Sequence, residues 1–149
     1  MNMFSNIISF IMITIIIYSY YYITQLNNCP CFVEEKKDEL NLQYIKFYLI
    51  LDLFTIIVAF FLMNNKKMIG GRSNKEYNII ITLSVLLVIF IHGYMTYNVY
   101  YFYKSVKDHC LCVNKWQKYF IYYEGILSSI VSLNYIFAFL FIIYTLLNN

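Results

Sequence analysis

Four long apolar stretches constrain this chain more than any other feature of its sequence. They cover about residues 4–25, 44–63, 78–102 and 119–147. Each is long enough to cross a hydrocarbon core of about 30 Å, which needs a helix of roughly 20 residues. Hydrophobic residues make up 61% of the chain and charged residues only 13%, which is far from the composition of a water-soluble domain. We therefore expect an all-α integral membrane protein with four spans.

A Cys-x-Cys motif occurs once between the first two stretches and once between the last two. The two motifs are Cys29-Pro-Cys31 and Cys110-Leu-Cys112. Each motif is preceded by a run of aromatic residues and followed by a Lys-containing segment that enters an apolar helix. We interpret this recurrence as an internal repeat of two helical hairpins, each with a Cys-x-Cys motif at its tip.

The repeat predicts a single membrane domain over residues 1–149, built as a four-helix bundle. Hairpin one covers about 1–63, a basic Gly-Gly connector about 64–77, and hairpin two about 78–149. Because four spans return the chain to its starting side, both Cys-x-Cys motifs should share one side. Both termini and the Lys66–Arg72 loop should lie on the other. The distribution of Lys and Arg leaves the absolute orientation undecided, with a slight lean to the middle loop inside.

The four cysteines are compatible with three chemistries. Structural disulfides would tie the hairpin tips together, most simply Cys29 or Cys31 to Cys110 or Cys112, although four cysteines allow three connectivities. A four-thiolate zinc site would normally space its cysteines more widely. A redox disulfide could close within a Cys-x-Cys motif. Disulfide frameworks are typical of oxidising faces, so we favour the structural interpretation and predict no metal and no cofactor.

Trp116 and Lys118 are predicted to form an anchor at the membrane interface, with the ring at headgroup depth and the ammonium group reaching outward. Lys46 has the corresponding place in hairpin one. Aligning the two repeats at Lys46 and Lys118 also aligns Asp52 with Glu124.

Asp52 and Glu124 are therefore ionisable groups at equivalent places in two apolar helices. A charged carboxylate near the bilayer centre costs roughly 3 kcal/mol, so such residues are candidate functional sites. His92 lies in the middle of the third stretch and could join them as a proton-carrying trio. The simpler alternative is that Asp52 is protonated or hydrogen-bonded to neighbours such as Tyr48 and fixes helix register.

Tyrosine is concentrated near the cysteines. Of the 17 tyrosines, all but Tyr77, Tyr135 and Tyr144 lie in the half of each helix nearest the Cys-x-Cys motifs. Tyrosine favours the membrane interface, where its ring is buried and its hydroxyl is hydrated. This distribution fits either an ordinary aromatic girdle or helices that project beyond lipid and pack against a partner.

A short motif in hairpin two resembles a pattern found in small multi-pass membrane proteins of nucleocytoplasmic large DNA viruses, the giant viruses. The matching residues are Cys110, Cys112, Trp116, Lys118, Tyr119, Tyr122 and Tyr123. Hairpin one keeps Cys29, Cys31, Tyr44, Lys46 and Tyr48 but has no tryptophan. The resemblance implies a virion protein in the membrane beneath the capsid that meets minor capsid proteins. Viruses of this group resemble one another in encoding a thiol oxidase, so disulfides could form on a cytosol-facing surface.

The leading hypothesis is a structural virion membrane protein whose cysteine- and tyrosine-rich face contacts capsid proteins or copies of itself. A membrane thiol–disulfide oxidoreductase is one alternative. The bacterial four-helix oxidases it would resemble have a Cys-x-x-Cys pair and an arginine near a quinone, whereas Arg72 lies on the opposite face here. A small oligomeric ion or proton channel lined by Asp52, His92 and Glu124 is the other alternative.

No catalytic motif indicates an enzyme, and we expect the bilayer as a partner, with no nucleic acid and no small-molecule substrate.

Overall fold

The computed structural model describes residues 3–64, 75–107 and 110–147. They form five helices and, within those ranges, no strand, which confirms the all-α class. The helices are α1 (Met3–Leu26), α2 (Pro30–Glu35), α3 (Leu42–Asn64), α4 (Lys75–Ser105) and α5 (Gln117–Leu147). The chain termini and the predicted Lys66–Arg72 loop lie outside the described residues.

Three of the helices are long and apolar enough to cross a membrane. The qualifying segments are Ile7–Leu26, Leu83–Ser105 and Gln117–Phe141. At about 1.5 Å per residue, each matches or exceeds the thickness of a hydrocarbon core. The remaining predicted span, at 44–63, falls on α3, of which the side chains of residues 42–58 are described. The membrane character expected from the sequence is therefore supported by three helices.

Large apolar side chains cover the outside of the helices far from the cysteines. Phe10, Phe90 and Phe137 are 72%, 77% and 69% exposed, and Leu133 and Phe141 are also exposed. A water-soluble protein rarely shows so continuous an apolar surface. Lipid contact accounts for this surface, because hydrocarbon chains solvate such side chains as well as a protein core does.

The long helices contact one another in a closed sequence of neighbours. Within each half of the chain, α1 packs on α3 and α4 packs on α5. Between the halves, α3 packs on α4 and α1 packs on α5. The largest fully buried side chains lie toward the cysteines, so the protein core is at that end of the helices. They include Tyr22, Phe32, Ile45, Leu49, Met95, Phe102, Val113 and Ile121.

The helix starts near the cysteines follow from local sequence. Pro30 stands at the start of α2, where its fixed φ suits a first turn and its missing N–H costs nothing. Asn41 precedes α3, and its Oδ1 accepts a hydrogen bond of 3.0 Å from the backbone N–H of Tyr44. This is the usual N-cap contact, and it makes Asn41 the cap of α3.

Gly125 permits the closest approach between α4 and α5. A Cβ atom at Gly125 would lie 2.7 Å from Val99 Cβ and nearer still to Val99 Cγ1. Because Val99 Cβ is fixed to the α4 backbone, the clash can be relieved only by separating the helices. At Gly93, by contrast, the nearest atom to an added Cβ is Ser132 Oγ at 3.7 Å, an ordinary contact.

We predict that Gly125→Ala lowers the free energy of unfolding by about 1–3 kcal/mol, because overpacking forces the helices apart. Gly93→Ala is the matched control and should be neutral or stabilising by up to about 1 kcal/mol, from helix propensity. Unfolding of the detergent-solubilised protein by added SDS measures both. Equal effects at the two positions would contradict the close approach at Gly125.

Candidate functional site

The four cysteines lie together and join the two halves of the chain. Cys29 is paired with Cys112, and Cys31 with Cys110, with Cα–Cα separations of 6.2 and 5.8 Å. These separations lie in the range that a disulfide spans. The paired residues are 83 and 79 positions apart in sequence. Together they form what we call the disulfide cap, the group Cys29, Cys31, Cys110 and Cys112.

The pairing of the disulfide cap is symmetric with respect to the sequence repeat. In the repeat alignment Cys29 corresponds to Cys110, and Cys31 corresponds to Cys112. Exchanging the two repeats converts the pair Cys29–Cys112 into the pair Cys110–Cys31, which is the other bridge. Reciprocal contact of this kind is the mark of a two-fold axis between two like units. The cap is therefore arranged as two hairpins related by a pseudo-two-fold axis would arrange it.

Buried hydrogen bonds hold the loops of the disulfide cap onto the helices. The hydroxyl of Tyr22 on α1 donates to the carbonyl oxygen of Val113 at 2.8 Å. Two α4 side chains accept hydrogen bonds from the backbone of the first loop. Asn98 Oδ1 accepts from the N–H of Asn41 at 2.8 Å. Ser105 Oγ accepts from the N–H of Lys37 at 3.0 Å.

Asn98 and Ser105 were not among the residues singled out from the sequence. Both are fully buried, and a buried backbone N–H left without them would cost the desolvation of that group. Their polarity within an apolar helix was a signal, but the sequence alone does not show which loop crosses that helix face.

A second group of polar side chains lies between α3, α4 and α5 and is called here the polar cluster. Its members are Tyr48, Asp52, His92, Glu124 and Ser128. Ser128 Oγ donates to Tyr48 Oη at 2.9 Å, and Tyr48 Oη lies 2.9 Å from His92 Nδ1. The carboxyl groups of Asp52 and Glu124 lie close enough to interact with each other.

Four members of the polar cluster form two pairs, and the residues of each pair are four positions apart on one helix. Tyr48 and Asp52 are one turn apart on α3, and Glu124 and Ser128 are one turn apart on α5, so each pair shares a helix face. Tyr48, Glu124 and Ser128 are 3%, 7% and 1% exposed. These three side chains are thus shielded from lipid, where a polar group is costly, and Asp52 and His92 are half-buried.

The structure therefore brings together the three intramembrane residues that the sequence singled out. Asp52 and Glu124, which are equivalent in the two repeats, contact each other. His92 joins them through Tyr48. Ser128 also belongs to the polar cluster, through its hydrogen bond to Tyr48. Its four-residue spacing from Glu124 was the available signal that it belongs to the same polar face.

The predicted interfacial anchors differ in their environments. Trp116 is 52% exposed. Lys46 Nζ lies 5.8 Å from the ring centroid of Tyr20. The side chain of Lys118, which the sequence predicts to reach outward, is only 5% exposed. Its Nζ donates a hydrogen bond to Asn114 Oδ1 at 2.9 Å.

Compared with known proteins, the chain matches no protein-family model, no curated protein and no solved structure.

The connectivity of the disulfide cap predicts a pattern of free thiols. Replacing Cys29 and Cys112 together by Ser removes one bridge and should leave no free thiol. The matched control, Cys29 and Cys110 replaced by Ser, removes one partner from each bridge and should leave two. Thiol titration of the denatured, unreduced protein counts them. The reverse pattern would show that Cys29 pairs with Cys110 instead.

Proposed function

We propose that this chain is a structural membrane protein, a four-helix bundle of two repeated hairpins locked into a rigid unit at the disulfide cap. The observation that carries this proposal is the cap itself, because both bridges run between the hairpins and neither lies within one. Such bridges restrict the separation of the hairpins and leave each hairpin tip in a fixed position.

The size of the bridged loops supports a stabilising role. In the chain-entropy account, closing a loop of about 80 residues stabilises a fold by roughly 4–5 kcal/mol. The second bridge closes little additional loop, so its main effect is to fix the angle between tips that the first bridge already holds together. The second bridge therefore adds rigidity rather than a further large gain in stability.

The same pairing favours the structural role over thiol–disulfide exchange. An exchanging dithiol alternates between an open and a closed form of one cysteine pair. Here each Cys-x-Cys motif is divided between two bridges, so no disulfide lies within a motif. Cys29 and Cys110 are also buried, which limits the access that exchange requires.

The proposed contact surface is the aromatic face around the disulfide cap. Its exposed members include Tyr21, Tyr103, Leu111, Trp116, Tyr119 and Tyr123. Leu111, between the cysteines of the second motif, is 86% exposed. Tyrosine and tryptophan are enriched at protein interfaces because they bury a large area with few rotatable bonds. We propose that this face meets neighbouring copies or a protein shell.

The resemblance in hairpin two suggests where such a unit would serve. We propose the membrane beneath a viral capsid, with minor capsid proteins as further partners of the aromatic face. A virally encoded thiol oxidase, which the resemblance implies, would supply the oxidation that four cysteines need to form two disulfides.

Contact between copies gives a direct test of the aromatic face. In liposomes, energy transfer between donor- and acceptor-labelled copies should fall severalfold in Tyr21→Ser/Tyr123→Ser. The matched control is Tyr135→Ser/Tyr144→Ser, which removes two exposed tyrosines far from the cysteines and should preserve the transfer. An equal fall in both variants, or no transfer above random mixing in the unmodified protein, would contradict docking between copies through this face.

Proton conduction is the second candidate function, and the polar cluster is the observation that favours it. The Ser128–Tyr48–His92 hydrogen bonds lie beside the carboxyl groups of Asp52 and Glu124, which is the composition of a proton relay. As a structural lock, the same cluster would instead fix the register of α3 against α5.

Substitution of Asp52 distinguishes a structural role of the polar cluster from proton conduction. We predict that Asp52→Asn changes stability by less than about 1 kcal/mol, since the amide can donate to Glu124. Asp52→Leu should cost about 1–3 kcal/mol, because Glu124 loses its partner. Adding Glu124→Leu to Asp52→Leu should restore most of the loss, as removing both partners is nearly neutral. SDS unfolding measures these differences. Proton flux into liposomes that is present in the native protein and lost in Asp52→Asn would instead support the relay.

A further inference from the structure

Part of α5 is left uncovered by the other described helices. Six consecutive residues, 133–138, are exposed, and six residues go more than once around a helix of 3.6 residues per turn. Ser132, just before them, still faces α4, because its Oγ is the atom nearest to a Cβ added at Gly93. Beyond Ser132, α5 is therefore exposed on all sides while still within the membrane-length segment Gln117–Phe141.

Asn134 places an exposed carboxamide in this apolar part of α5. Among the described residues it has no hydrogen-bond partner. By contrast, the carboxamides of Asn98 and Gln25, in the two other membrane-length segments, are hydrogen-bonded. Hydrocarbon offers neither a donor nor an acceptor, so an unpaired carboxamide that faces lipid is costly. A partner that supplies both a donor and an acceptor would remove this cost.

An exposed apolar stripe runs along α5 on both sides of Asn134. Its members recur at alternating steps of three and four residues, and we call them the α5 seam: Leu127, Ile130, Asn134, Phe137 and Phe141. The four apolar members are all exposed. Steps of three and four are the heptad spacing at which two helices pack along their length. A single Asn at such a position fixes the register and the number of helices in a coiled coil.

The occupant that fits the α5 seam is the α5 helix of a second copy. A carboxamide has a positive N–H and a negative carbonyl oxygen, so it is complementary in charge to another carboxamide. Copies inserted into one membrane with the same topology have parallel α5 helices. A two-fold axis between them places Asn134 opposite Asn134. The apolar members alone would not select this partner, because lipid solvates them equally well.

The α5 seam is continuous with the aromatic face around the disulfide cap. Tyr123, an exposed member of that face, lies four residues before Leu127, which is the next step of the heptad spacing. Contact between copies through the aromatic face and through the seam can therefore form within one interface.

We propose that this protein forms a parallel two-fold dimer along the α5 seam, in which the two Asn134 carboxamides hydrogen-bond to each other. Each carboxamide donates an N–H to the carbonyl oxygen of the other. The dimer joins two disulfide-capped units side by side in the plane of the membrane. This inference rests on the proposed function and specifies a second copy as the partner.

The test measures association of the full-length protein in liposomes with its disulfides intact. Energy transfer between donor- and acceptor-labelled copies over a series of lipid dilutions reports the affinity, and a linear dependence on the acceptor fraction is expected of a dimer. Asn134→Leu should weaken association by about five- to thirtyfold, the effect of a polar contact between membrane helices. Asn134→Gln keeps a carboxamide and should retain most of the affinity. Unchanged affinity in Asn134→Leu would overturn the proposal.

Two exposed phenylalanines provide a matched pair for the apolar part of the seam. Phe137 belongs to the α5 seam, whereas Phe90 lies on α4, and both are strongly exposed. Phe137→Ala should weaken association severalfold, and Phe90→Ala should leave it unchanged. Equal effects would overturn the proposal, because the contact would then be a general one between apolar surfaces. If Asn134→Leu fails to fold, this pair decides the question.

Failure of the α5 seam is distinguishable from failure of the proposed function. Unchanged affinity in Asn134→Leu, together with reduced transfer in Tyr21→Ser/Tyr123→Ser, would overturn the seam and leave the aromatic face as the contact between copies. No transfer above random mixing in the unmodified protein would overturn the dimer. The thiol pattern would still report on the disulfide cap, which carries the structural role.

Discussion

The two crossed bridges of the disulfide cap are the constraint on which the arrangement of the helices depends. Lipid solvates apolar side chains as well as another helix does, so burial of apolar area cannot by itself hold membrane helices together. The hairpins must be joined by other means. The described residues supply three: the covalent cap, the buried hydrogen bonds of Tyr22, Asn98 and Ser105 between the halves, and the polar cluster between α3 and α5. The cap joins the two halves covalently, whereas the other two depend on geometry that the cap helps to maintain.

Several of these contacts join residues that correspond to each other in the repeat predicted from the sequence. Residues that are equivalent in the two repeats meet at two levels of the molecule. At the disulfide cap, the first cysteine of each motif is bonded to the second cysteine of the other motif. In the polar cluster, Asp52 lies beside its counterpart Glu124. The contacts between hairpins follow the same rule, since α1 on α5 and α4 on α3 are exchanged when the repeats are exchanged. A residue near a two-fold axis contacts its own counterpart.

Much of the fold could be predicted from the sequence, because the bilayer leaves few alternatives for an apolar stretch of about 20 residues. The repeat also indicated that Asp52 and Glu124 are equivalent. What the sequence could not supply is which surfaces lie opposite each other. The four cysteines fitted three connectivities, and nothing local distinguishes them. Periodicity placed Ser128 on the face of Glu124, but only the packing of α3 against that face reveals its hydrogen bond to Tyr48. Lys118 matched an outward-facing anchor by its sequence context, whereas its burial depends on the fold of the neighbouring loop.

The measurement that tests the central claim most directly is the mass of the protein after cleavage at a protease site engineered into the 64–77 connector. Under denaturing conditions without reductant, two bridges between the hairpins keep the halves covalently joined. The joined species should be four hydrogens lighter than the sum of the reduced halves, and reduction should release both. Separate halves without reduction, whether from free thiols or from bridges inside each Cys-x-Cys motif, would contradict the account.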